Sequence, residues 1–133
     1  MVLVCGMLED NGRIIFLIRK NINGTEQLEL PCFETRGSVD FVSMLASEFR
    51  RQTAIDAEVL GIKHKCEYNA GSRKKKRYQP AIIFEVKAKN KTARPNQEFS
   101  GFRWLSLENA LNQRLGRKFE WLKRLDDKEI GNQ

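Results

Sequence analysis

An Asn-Gly pair set between two strand-like runs constrains the start of this chain more than any other feature. Val2 to Leu8 and Arg13 to Arg19 are aliphatic and β-branched, and Glu9-Asp10-Asn11-Gly12 separates them. A type I′ turn needs positive φ at both central positions, which asparagine and glycine tolerate best, so the spacing predicts a β-hairpin. Asn21 to Gln27 reads as a polar loop, and Leu28-Glu29-Leu30-Pro31 as a short strand that the proline ends.

The period then changes. Asp40 offers an N-cap, and Phe41, Val42, Leu45, Ala46 and Phe49 recur at helical spacing, predicting a helix from Phe41 to Gln52. Its other face carries Glu48, Arg51 and Gln52, three and four positions apart and so side by side. Ala57 to Tyr68 and Tyr78 to Lys89 read as two more strands, with Pro80 marking an edge or an irregular start. Glu98 to Leu105 reads as another strand, Ser106 to Leu111 as a capped helical turn, and Arg117 to Leu125 as a second helix. Asp126 to Gln133 reads as a frayed tail. The order predicts one α+β domain over residues 1–133: a mixed sheet with the Phe41–Gln52 helix on one face and the C-terminal helix on the other.

Composition narrows the class. With 133 residues, 41% of them hydrophobic, the chain can bury a core without staples and is neither disordered nor fibrous. Its longest apolar run, Val2 to Leu8, falls far short of the roughly 20 residues of a membrane span, and no secretory leader is evident. Cys5, Cys32 and Cys66 are odd in number and scattered, which predicts free thiols in a reducing cytoplasm. The net charge is +7, and five positives sit together in Arg73-Lys74-Lys75-Lys76-Arg77; subtracting them from +7 leaves +2. The basic character is thus one local segment, either a solvated mobile hairpin tip or an electrostatic funnel for phosphates or nucleic acid.

Four pieces in order resemble the Nudix hydrolase family. Ile14 to Lys20 is similar to the family's second strand, which ends in a phosphate-facing arginine. Leu28-Glu29-Leu30-Pro31 leads into the family's signature box, and Glu48 to Ile55 resembles the end of the box helix. Phe102 to Glu108 is similar to a tryptophan-containing turn before the C-terminal helix. The resemblance spans nearly the whole chain and implies the Nudix fold, with magnesium or manganese as cofactor where the protein is catalytic.

The box itself, G-x5-E-x7-R-E-U-x-E-E-x-G-U, is eroded. In the ungapped register Cys32 and Phe33 stand where glycines are expected, Val39 at the first glutamate and Ser47 at the arginine. Glu48 is kept, Arg51 and Gln52 replace the closing glutamate pair, and Ala54 replaces the last glycine. One of four acidic positions remains. Magnesium requires several hard oxygens in near-octahedral array, whereas a guanidinium stays charged and repels it.

Residue by residue, the resemblance implies Glu48 and Glu98 as catalytic carboxylates, with Glu48 as a weak metal ligand. Arg19, Arg51, Gln52 and Arg77 are the expected contacts to a substrate. His64 sits between Lys63 and Lys65 in a strand-like run and reads as structural; Cys32 reads as an inert thiol, and Trp104 and Trp121 follow the apolar period into the core. Three function classes result. The first is a binder of a phosphorylated nucleotide with weak or lost hydrolysis. The second is a magnesium-dependent hydrolase of nucleoside diphosphates running on Glu48 and Glu98. The third is a nucleic-acid or protein interaction module using residues 73–77. A homodimer is compatible with each.

Overall fold

The computed structural model describes residues 1–90 and 92–125; the expectation for Asp126 to Gln133 lies outside them. β1 (Val2–Asp10) and β2 (Arg13–Lys20) form the expected hairpin, with Glu9 opposite Ile14 and Asp10 opposite Arg13. Asn11 and Gly12 supply its left-handed positions at φ 54° and 77°.

β1 organises everything else, because both its faces are covered. Leu3, Cys5 and Met7 enter one core, while Val4 and Leu8 enter the other, as the period of two along a strand requires. On one edge β1 runs parallel to β6 (Tyr78–Ala88), which pairs in turn with β5 (Ala57–Asn69). On its other edge it pairs antiparallel with β4 (Cys32–Thr35), Cys5 lying opposite Cys32. β2 leaves this group to pair with β3 (Glu26–Glu29) and β7 (Gly101–Leu105).

The region around Pro31 differs from expectation. The short strand ends at Glu29, and after Leu30-Pro31 the chain resumes as β4 against a different neighbour. Pro31, lacking an N–H, accepts a hydrogen bond from Gly6 N–H through its carbonyl at 2.9 Å. The proline is therefore a corner between two pairing groups and not the end of a strand. Pro80 likewise sits in an interior strand; the ladder to β1 begins only at Ala81, so no donor is missed there.

α1 (Phe41–Thr53) begins where Asp40 caps it, its Oδ1 accepting from Ser43 N–H at 3.1 Å. Leu45 and Phe49 pack on Val4, Leu8, Ile15, Phe84 and Val86. The chain leaves the helix through Ala54 at φ 64°, a left-handed conformation usually given to glycine. After α2 (Leu107–Leu111), capped by Ser106, comes the second expected helix, which takes the 3₁₀ form (Arg117–Arg124). Phe119, Leu122 and Leu125 recur every three residues, the 3₁₀ period, and bury against Leu3, Met7, Tyr68 and Ile83. The sheet is sandwiched between helices on both faces, as the element order predicts. No helix among the described residues is long and apolar enough to cross a membrane.

Candidate functional site

A cleft of about 400 Å³ opens beside the C-terminal half of α1. It brings together Arg19, Glu48, Arg51, Gln52 and Glu98, five residues that the sequence reading singled out from three separate segments. Arg77 is not with them; its backbone N–H bonds Asn69 Oδ1 at the far β5–β6 turn.

α1 sets the register of the first wall. Arg51 lies one turn beyond Glu48, and its Nη2 reaches Glu48 Oε1 at 2.8 Å while Nε bonds both carboxylate oxygens at 3.1 Å. These hydrogen bonds hold the Glu48 carboxyl below its usual range. Gln52 is only 4% exposed. Its Nε2 donates to Cys32 O at 2.8 Å and Glu48 Oε1 at 3.2 Å, and its Oε1 accepts from Cys32 N–H at 3.3 Å. Both amide protons are engaged, so Gln52 pins the start of β4 and has none left for the ligand contact expected of it.

The second wall comes from β2, β3 and the turn before β7. Arg19 Nε donates to Glu29 Oε2 at 2.7 Å, and its guanidinium lies 5.0 Å over the Phe99 ring. The Glu29 hydrogen bond leads the causes that raise the Arg19 pKa. Glu98 was expected on a strand, but β7 starts only at Gly101. Glu98 lies in a turn where Asn96 Oδ1 accepts its N–H at 3.1 Å. From there it faces both arginines, Oε1 3.3 Å from Arg51 Nη1 and Oε2 3.5 Å from Arg19 Nη2.

Sequence reasoning missed the rest of the lining. Glu34 on β4 accepts from Lys118 Nζ and from Tyr68 OH. Burial acts to raise the Glu34 carboxyl, and the bonds from Lys118 and Tyr68 outweigh it, leaving a lowered pKa. Arg117 and Lys118, at the start of the 3₁₀ helix, complete the wall. The cleft thus carries Glu29, Glu34, Glu48 and Glu98 against Arg19, Arg51, Arg117 and Lys118, a formal balance of zero.

The divalent cation implied by the resemblance does not fit this donor set. Among the described residues no group of three or more His, Cys, Asp and Glu side chains is placed to hold a metal ion. Glu48 turns both oxygens to Arg51, and Glu98 shares its pair between two arginines. A cation entering here would have to displace guanidinium groups that remain charged at any physiological pH.

The Arg73–Arg77 segment forms a closed turn. Asn69 Oδ1 accepts from Gly71 N–H and Arg77 N–H, Ala70 N–H bonds Arg77 O, and Arg73 pairs with Glu120 at 3.2 Å.

The chain matches no protein-family model and no curated protein. Solved structures match along its length. One described as a possible asymmetric diadenosine tetraphosphate hydrolase from Jonesia denitrificans superposes with a TM-score of 0.76, at 14% identity over 99% of this chain and 95% of the other. A NUDIX hydrolase from Nitrosomonas europaea gives 0.73, at 9% identity over 99% and 90%. The NUDIX domain of Shewanella oneidensis NrtR, complexed with ADP ribose, gives 0.62, at 13% identity over 93% and 84%. At these identities the likeness establishes the fold. The chain has the α+β Nudix fold.

Proposed function

We propose that this protein binds a phosphorylated nucleotide of the nucleoside-diphosphate type in the α1 cleft, gripping its phosphates with arginines and without a metal, and that hydrolysis is weak or lost. The carrying observation is the exchange at Arg51: a guanidinium on the helix face, oriented by Glu48 and Glu98, where the family box places a carboxylate. Planar guanidinium groups match pairs of phosphate oxygens bidentately. Arg19 and Arg51 offer two such groups across Glu98, which a phosphate would displace. Solved neighbours of this fold include a hydrolase and a domain complexed with ADP ribose, which supports a nucleotide-derived ligand and leaves hydrolysis to be decided by the site.

Calorimetric titration with ADP and ADP-ribose, in magnesium and in chelator, tests the reading. Binding should persist in chelator, weaken as salt rises, and drop about ten- to a hundredfold in Arg51→Ala, the range for one charge-assisted contact. Binding that requires metal, or that is unchanged in Arg51→Ala, overturns it. The hydrolase reading built on Glu48 and Glu98 then regains the site.

A further inference from the structure

A second cavity, of about 360 Å³, lies between the β5–β6 turn and the 3₁₀ helix. Unlike the α1 cleft it is strongly cationic: Arg73, Lys76, Arg117, Lys123 and Arg124 line it against Glu67 and Glu120, a formal balance of +3. Glu120 is already taken by Arg73 at 3.2 Å and Lys123 at 2.8 Å. Lys76, Arg117 and Arg124 have no ion-pair partner among the described residues.

Two hydrogen-bond donors there are also unanswered. Trp121 is 2% exposed, and among the described residues neither its indole Nε1–H nor the buried Arg117 Nε–H has an acceptor. Buried N–H groups are almost always paired, so two orphans beside one cationic cavity point to an absent acceptor.

We infer that this cavity is a second anion site, built for a phosphate group. Lys76, Arg124, Arg117 with its orphaned Nε–H, and the Trp121 indole N–H together favour a multiply charged anion, and the terminal oxygens of a phosphomonoester or pyrophosphate offer more acceptor positions at higher charge than a carboxylate does. The half-exposed Tyr78 ring forms part of the wall. Arg117 lines both this cavity and the α1 cleft, yet the site does not depend on the reading of that cleft, since none of its other lining residues is shared.

The two tryptophans make the test internal. Trp121 lines the cationic cavity, and Trp104 lies on β7 beside Asp10. The indole N–H resonances of the ¹⁵N-labelled full chain would be followed during titration with orthophosphate and pyrophosphate, against sodium chloride at matched ionic strength. The Trp121 signal should move saturably with either anion while Trp104 stays still. The exposed pair Lys76→Ala plus Arg124→Ala should weaken the apparent affinity at least about tenfold, and Arg51→Ala should leave it unchanged. A stationary Trp121, an equal response to chloride, or an unaltered response in the double variant overturns the assignment. A response to oligothymidylate with none to pyrophosphate also overturns it and makes a nucleic-acid strand the occupant.

Discussion

Arg51 Nη1 lies 3.3 Å from Glu98 Oε1, so the C-terminal turn of α1 is tied to the turn before β7 across the mouth of the cleft. The same carboxylate reaches Arg19 Nη2 at 3.5 Å. Glu98 thus competes with any incoming phosphate for both guanidinium groups.

Glu98→Gln should therefore strengthen binding of nucleoside diphosphates. Removing one negative charge next to the phosphate position turns a balanced cleft into one of net +1. Affinity measured in chelator should rise by about three- to tenfold and fall more steeply with salt. A carboxylate that served instead to hold metal would give the reverse, a loss of affinity in magnesium.

Metal affinity should be recoverable. Arg51→Glu places a second carboxylate one helical turn from Glu48 and opposite Glu98, removing the cation that opposes a metal. Manganese binding, absent or millimolar in the parent, should tighten by about a hundredfold in calorimetry, on the order of 2–3 kcal/mol. Gln52→Glu should add little, because that side chain holds Cys32 by both ends and its carboxylate version would face the Cys32 carbonyl.

Two substitutions between glycine and alanine should act in opposite directions. A Cβ on Gly6 would stand 2.8 Å from the Phe49 ring, so Gly6→Ala should cost about 1–3 kcal/mol in chemical denaturation. Ala54 holds φ 64°, so Ala54→Gly should stabilise by about 0.5–1 kcal/mol despite its looser unfolded chain.

The Glu48–Arg51 pair should leave a signature in acid. The Glu48 pKa is lowered in the folded state, so the pair contributes stability above the unfolded glutamate value of about 4.3 and loses it as pH falls through the lowered value. Arg51 is half exposed, which limits the contribution to a few tenths of a kcal/mol. Denaturation midpoints of parent and Arg51→Ala should differ at pH 7 and converge in acid, once the pH has fallen through the lowered Glu48 value.

Much of this architecture is legible in local chemistry. Asn11-Gly12 dictates the hairpin and Asp40 the start of α1, because turn and cap preferences act over two to four residues. The grouping of Glu48, Arg51 and Gln52 follows from helical spacing alone. Cys32 to Thr35 escaped notice because four residues without clear apolar–polar alternation declare no strand; β1 makes them one. Glu34 and Lys118 meet only through that pairing, across 84 positions, so no local pattern announces them. The 3₁₀ helix did leave a trace, the strict three-residue recurrence of Phe119, Leu122 and Leu125, which an α-helical template absorbs without complaint.

The corner at Leu30-Pro31 has a consequence for how the cleft can change over time. Its walls hang on separate ladders: Arg19 and Glu29 on the β2–β3 pairing, Glu34 and the Cys32 backbone on the β1–β4 pairing. A substitution that shifts one ladder is not forced on the other, so each wall is free to drift toward a new ligand while its opposite keeps the old geometry. Glu98, in contact with Arg19 from the β2–β3 ladder and Arg51 from α1, is where such independent histories have to agree.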